Sequence, residues 1–97
     1  MRLNKLNLDV LYGKAKNAFW ECASNQEAEI FEETGVSFNS IRLKRNSVCV
    51  KFSGVDTDSY IIETKLELFR ENGEYMGWYC LHEDHHENVV DDFLVFE

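Results

Sequence analysis

The feature that most constrains the fold is a run of alternating side chains that ends at an Asn-Gly pair. Over residues 60–69, apolar side chains alternate with mostly charged ones, and Asn72-Gly73 follows. Side chains along a strand point alternately to its two faces, and Asn-Gly is favoured in two-residue hairpin turns. The pattern therefore predicts a β-hairpin in which Phe69 lies opposite Met76.

The two faces of this hairpin differ in character. One face is mostly apolar, so it is predicted to be the core face; its apolar members are Tyr60, Ile62, Leu66, Leu68, Tyr75, Tyr79 and Leu81. The other combines apolar side chains with a rim of glutamates, which is the composition of an interaction surface. Its apolar members are Ile61, Phe69, Met76 and Trp78, and its rim is Glu63, Glu67, Glu71 and Glu74. The alternative is that the helices cover this second face and that its apolar side chains belong to the core.

Two helices are predicted before the hairpin. Apolar residues recur with a helical period over about residues 7–23, and a shorter helix is predicted over about 25–34. The alternative is one helix that continues to residue 34. The residues that signal the ends are Asn7 or Asn4 for the first start, Ser24 with Glu27 as a capping box for the second start, and Gly35 for the second end.

The rest of the chain is predicted to form strands and the turns between them. Alternation predicts a strand over residues 36–43, a turn at Arg45-Asn46, a strand over 48–52 and a loop over 53–59 before the hairpin. A last strand is predicted over about 89–96. The expected fold is an α+β domain spanning residues 1–97, with one or two helices packed on an antiparallel meander of about five strands, either open or strongly curled.

Charge gives the main indication of function. The net charge is −8, and residues 71–97 contain eight acidic residues and no Lys or Arg, whereas residues 1–70 balance to zero. A field of one sign steers association with a basic partner and repels nucleic acid. The one basic cluster, Arg42, Lys44, Arg45 and Lys51, is interpreted as solvated strand positions. The predicted partner-binding residues are Glu71, Glu74, Met76, Trp78, Glu83, Asp84, Glu87, Asp91 and Asp92.

In size and charge, though in no motif, the chain is similar to immunity proteins that neutralise nuclease toxins and to phage proteins that disable nucleic-acid-binding defence enzymes. We therefore expect a cytoplasmic inhibitor that binds and blocks a basic, nucleic-acid-handling protein, with no membrane association, no enzymatic activity and no cofactor. The third of our hypotheses is a self-associating structural subunit, such as a homodimer.

The second hypothesis, which ranks above self-association, is a metal-binding or small-ligand-binding domain centred on the turn between His82 and Asp92. Its candidate ligands are His82, His85 and His86 with Asp91 or Asp92. Three widely spaced cysteines are typical of buried, reduced thiols, and no Cys-x-x-Cys pair is present. Cys80 and His82 share a strand face, as do His82 and Glu63 across the hairpin, but these pairs are expected to be structural.

Overall fold

The computed structural model describes residues 7–53 and 56–97, which form two α-helices and a four-stranded antiparallel sheet. The helices are α1 (Leu8–Ser24) and α2 (Glu27–Thr34), and a 3-10 turn at Phe38–Ser40 leads into the sheet. The strands are β1 (Arg42–Ser53), β2 (Asp56–Phe69), β3 (Tyr75–Asp84) and β4 (Val89–Phe96), and they lie in that order across the sheet. The predicted α+β class and meander order are confirmed.

The first helix begins where its capping residue dictates. The Asn7 side-chain oxygen accepts hydrogen bonds from the backbone N–H groups of Asp9 (2.9 Å) and Val10 (3.4 Å), as an N-cap does. The other candidate cap, Asn4, lies outside the described residues. Neither described helix is long and apolar enough to cross a membrane.

The second helix begins at Glu27 and has no side-chain cap. The Ser24 hydroxyl donates instead to the carbonyl of Glu21 at 2.9 Å, so the predicted capping box is wrong. The helical backbone is interrupted between Ser24 and Glu27, so the alternative of one helix that continues to residue 34 is wrong. Gly35 ends α2 at φ 72°, as predicted, because this left-handed conformation suits glycine.

The described residues form four strands instead of about five, because the two strands predicted over 36–52 are a 3-10 turn and one strand. The pairing register of β1 with β2 shifts between Arg45 and Ser47, so Asn46 is a bulge and not a turn. A bulge adds one residue and moves the alternation by one position, as the sequence does here. Most of the predicted loop over 53–59 is also strand, since β2 begins at Asp56. The sheet is open, with β1 and β4 at its edges, and is not strongly curled.

The predicted hairpin register is confirmed from Glu63 with His82 to Leu68 with Gly77. It differs at the turn, because the backbone N–H of Arg70 donates to the carbonyl of Glu74 (2.8 Å) and closes a loop of three residues.

A register shift then follows at the start of β3, so Phe69 pairs with Tyr75 and not with Met76. Met76 is the residue displaced by this shift, and it is 3% exposed within the core. Its predicted place on the second hairpin face is therefore wrong. Tyr75 takes that place, with its ring 5.8 Å from the ring of Phe69.

The helices cover one face of the sheet. The Phe19 ring of α1 meets the Tyr79 ring edge-on at 5.6 Å, and both residues are buried with Leu66 and Leu68. The predicted core face of the hairpin is thus the face under the helices. The opposite face, which carries Trp78, is covered by neither described helix.

Candidate interaction surfaces

The predicted acidic residues fall at two ends of the molecule. Glu71 and Glu74 flank the β2–β3 turn, whereas Glu83, Asp84 and Glu87 lie at or beside the β3–β4 turn. β3 separates the two turns, and its ten residues span about 30 Å. The structure therefore does not gather these carboxylates into one patch.

Several of these carboxylates are held by the chain itself. The Lys14 ammonium lies 3.4 Å from the Glu87 carboxylate. Asp84 accepts hydrogen bonds from the backbone N–H groups of Asn88 (2.9 Å) and His86 (2.8 Å), and these bonds hold the pKa of Asp84 below its usual value. These acids stabilise the β3–β4 turn.

Glu83 lies inside the fold, although it was predicted to contact a partner. It is 1% exposed, and its Oε1 atom has no hydrogen-bond partner among the described residues. Its Oε2 atom lies 3.8 Å from the Lys14 ammonium. Burial raises the pKa of Glu83, and Lys14 opposes that shift. Glu83 is therefore not a contact residue on the surface.

The exposed acids of β4 stand beside exposed apolar side chains. Val89 is 60% exposed and Phe93 is 42% exposed, and the residues between them are exposed as well. Asp91 pairs with His82 in the β3–β4 register. Asp92 accepts a hydrogen bond of 2.8 Å from the Tyr79 hydroxyl. This edge of the sheet thus combines carboxylates with an apolar surface.

The uncovered sheet face combines apolar side chains of β3 and β4, such as Trp78 and Phe93, with charged side chains that are partly paired with one another. The Lys65 ammonium lies over the Trp78 ring, 4.6 Å from its centre. The Glu63 carboxylate lies 3.1 Å from the Lys51 ammonium and 3.9 Å from His82 Nε2. Glu63 is therefore paired within the face and does not form a free acidic rim.

The histidine cluster does not converge on one point, as the alternative hypothesis of a metal site would require. The ring centres of His85 and His86 lie 4.0 Å apart in the turn with their planes tilted by 42°, whereas the His82 ring lies 5.0 Å from that of Phe93. Asp92 belongs to the helix-covered face, where it accepts from Tyr79. Across residues 7–53 and 56–97, no group of three or more His, Cys, Asp or Glu side chains is placed to hold a metal ion.

The cysteines differ in exposure. Cys80 is buried and Cys22 is half-buried, whereas Cys49 is exposed, so the prediction of three buried thiols is wrong for Cys49. Burial raises the pKa of both Cys80 and Cys22, which favours the thiol over the reactive thiolate.

A second acidic and apolar surface lies on α2. A shallow groove of about 810 Å³ is lined by Glu27, Ala28, Phe31, Glu32, Ser37 and Phe38. Phe31 is 60% exposed. Sequence reasoning missed this groove, although residues 17–41 contain five Glu and no Lys or Arg. The basic residues on either side hide that segment when charge is summed over residues 1–70.

Comparisons of the chain with protein-family models, with curated proteins and with solved structures found no match. The indications of function therefore come from the surfaces of the molecule. Two of them place exposed apolar side chains beside acids: the β4 edge, defined by Val89–Phe93, and the α2 groove.

Proposed function

We propose that this chain is a small acidic binding domain of the cytoplasm that attaches to a basic protein and blocks its working surface. The observation that carries the proposal is the β4 edge, where Asp91 and Asp92 stand among exposed valines and a phenylalanine. Such an edge offers both charge and apolar contact area to one partner.

The negative charge of this region implies a partner with a positively charged surface. Residues 71–97 contain no Lys or Arg, and the pairs that do form there use side chains such as Lys14 from elsewhere in the chain. An excess of one sign over a whole segment attracts the opposite sign over about 8 Å at physiological ionic strength. Association with a basic surface is therefore faster than with a neutral one.

Apolar contacts would supply the affinity that charge alone does not. Burying the exposed parts of Val89, Val90 and Phe93 removes apolar surface from water, which contributes roughly 25 cal/mol per Å² before the costs of association. Trp78 and Phe93 share the uncovered face, so this contact can continue from the edge across the sheet.

The partner class follows from the same chemistry. Proteins that handle nucleic acid present Lys and Arg to phosphates, and a carboxylate can occupy the position of a phosphate oxygen. A domain with this edge would compete with nucleic acid for such a surface. We therefore propose nucleic-acid-handling proteins as its targets and inhibition as its action.

Affinity capture from a host lysate tests the proposal with three baits. The baits are the wild type, Asp91→Lys with Asp92→Lys, and Glu27→Lys with Glu32→Lys, which changes charge by the same amount on the α2 groove. We expect the wild type and the α2 variant to retain one basic protein that elutes with salt or with added nucleic acid.

The β4 variant should lose that protein while keeping its fold, as checked by circular dichroism, although it should melt at a somewhat lower temperature because Asp92→Lys removes the hydrogen bond from Tyr79. Equal capture by all three baits would contradict the assignment to β4. Loss only from the α2 variant would move the site to the groove. Capture that is insensitive to salt and nucleic acid would contradict an acidic blocker.

The uncovered sheet face supports a second candidate, a homodimer. Trp78 and Phe93 lie on that face, and a hydrophobic face of a sheet is commonly buried against another surface. Sedimentation at micromolar concentration tests this candidate. A dimer that dissociates in Trp78→Ala would support it, and a monomer would exclude it.

A further inference from the structure

We infer that β4 takes its partner as an added strand, and that the partner segment is extended and carries two adjacent basic residues. The inference rests on the proposed function, because it names the mode of binding at the same edge. β4 is the last strand of the sheet, and no strand in the described ranges pairs with its outer side.

The outward backbone groups of β4 can be identified from two hydrogen bonds. The N–H of Glu97 donates inward to the carbonyl of Met76 at 2.8 Å. N–H groups along an edge strand point alternately towards and away from its neighbour, so those of Leu94 and Asp92 point outward. The N–H of Asp92 fits this, because it donates to the Asp91 carboxylate at 2.8 Å and not to β3.

The hydrogen bond from the Asp92 N–H to the Asp91 carboxylate hinders the pairing of another strand with the open edge, and we call it the guard. It occupies an outward donor that another strand would otherwise pair with, and edge strands commonly carry charged side chains that prevent aggregation. A neutral strand must displace the Asp91 carboxylate without compensation. A strand with a Lys or Arg at that position gives the carboxylate a new partner and releases the Asp92 N–H.

The side chains of β4 fix the pattern of the partner strand. Asp91 and Asp92 are adjacent, so they point to opposite faces of the sheet. A pairing strand needs one basic residue on each face, and these are adjacent in its own sequence. Apolar residues on either side of them would meet Val90 and Phe93, which are exposed.

Charge favours a basic strand of another protein over β4 of a second copy as the strand that pairs with this edge. Pairing β4 with β4 of a second copy would place four aspartates around one contact, which like-charge repulsion disfavours. The opposite edge, β1, carries Arg42, Lys44 and Lys51 and would repel a basic strand. β1 of a second copy is, however, a basic strand, so self-association is one outcome of the test.

Two octapeptides test strand addition to the wild-type chain. Both carry a central Lys-Arg pair flanked by valine and threonine, and one is N-methylated at alternate residues on the edge that faces β4. N-methylation removes backbone donors and keeps the charge. We expect the methylated peptide to bind about tenfold more weakly or worse, since several backbone hydrogen bonds are lost. Only the unmodified peptide should slow amide exchange at Asp92 and Leu94.

A third peptide tests the guard. It replaces Lys-Arg with Thr-Thr, and it should bind Asp91→Ala but not the wild type, because that variant leaves the Asp92 N–H free. Asp91→Asn is the matched control, since its amide oxygen can still accept. Binding of the neutral peptide to the wild type would overturn the guard.

The outcomes separate the two proposals. Equal binding of both basic peptides overturns strand addition and leaves an acidic binding surface in place. Binding of neither peptide, together with no basic protein captured by the wild type, overturns both proposals. Protection of the Asp92 and Leu94 amides without peptide, together with a dimer in sedimentation, overturns the basic partner in favour of a second copy.

Discussion

Replacing Glu83 by glutamine should stabilise the protein near neutral pH. Glu83 is buried, its Oε1 atom has no partner among the described residues, and its neighbour Lys14 also lies 3.4 Å from Glu87. An unsatisfied buried polar group costs about 1–3 kcal/mol, and more when it is charged. Glutamine keeps a polar group of nearly the same shape at that place but removes its charge, which is the costlier part, while Lys14 keeps its pairing with Glu87. We expect the free energy of unfolding to rise by about 1 kcal/mol, or roughly 4–8 °C in melting temperature.

The difference in unfolding free energy between Glu83→Gln and the wild type should depend on pH. Burial raises the folded-state pKa of Glu83 above its value in the unfolded chain. Its contribution to stability is then fully present below the ordinary glutamate pKa of about 4.3 and is lost as pH rises through the folded-state pKa. Glu83→Gln lacks this loss. The advantage of the variant should therefore grow across that window by at most about 1.4 kcal/mol per pH unit and stay constant above it.

Urea denaturation of both proteins between about pH 4 and pH 8 measures this difference, since other titrating groups cancel between them. Glu87→Gln is the matched control, because Glu87 contacts the same lysine but is exposed, and its effect should stay within about 0.5 kcal/mol at every pH. A Glu83→Gln protein that is less stable near neutral pH, or whose advantage does not change with pH, would refute the reasoning.

Three further predictions concern β3, the strand beside β4, and the thiols. Gly77→Ala should cost roughly 1–3 kcal/mol of unfolding free energy and speed amide exchange in β4, because Gly77 has φ 152° and a side chain there would meet the backbone of Val95 and Phe96. Tyr79→Phe should lower the unfolding free energy by about 1 kcal/mol in denaturant titration, since it removes the hydrogen bond to Asp92. Cys49 should react with a thiol reagent under native conditions well before the buried Cys80 does, as mass spectrometry of the modified protein would show.

The fold class was predictable because helical and alternating periods are local properties of the sequence. The hairpin register was predicted correctly for a reason the sequence does not show. A three-residue loop shifts the pairing by one residue, and the bulge at Met76 shifts it back. Bulges are not distinguishable from turns by alternation alone, and the same ambiguity at Asn46 produced the fifth strand.

The candidate site was less predictable, because summed charge does not say where side chains lie. Composition and alternation predict Glu83 and Met76 to be surface residues, but both are buried. Glu71 and Asp91 both count toward the net charge of residues 71–97, but they lie near opposite ends of the sheet. The exposed backbone edge of β4 depends on which strand ends the sheet, which is a property of the tertiary structure.

The most direct test of the central claim is the affinity of the Lys-Arg octapeptide for three proteins at low and high salt, measured by calorimetry. The account predicts that the wild type and Glu27→Lys with Glu32→Lys bind equally, and that both weaken about tenfold or more between roughly 50 and 300 mM salt, where the screening length shortens. Asp91→Lys with Asp92→Lys should not bind. Equal affinity of this β4 variant and the wild type would contradict the assignment of binding to the β4 edge.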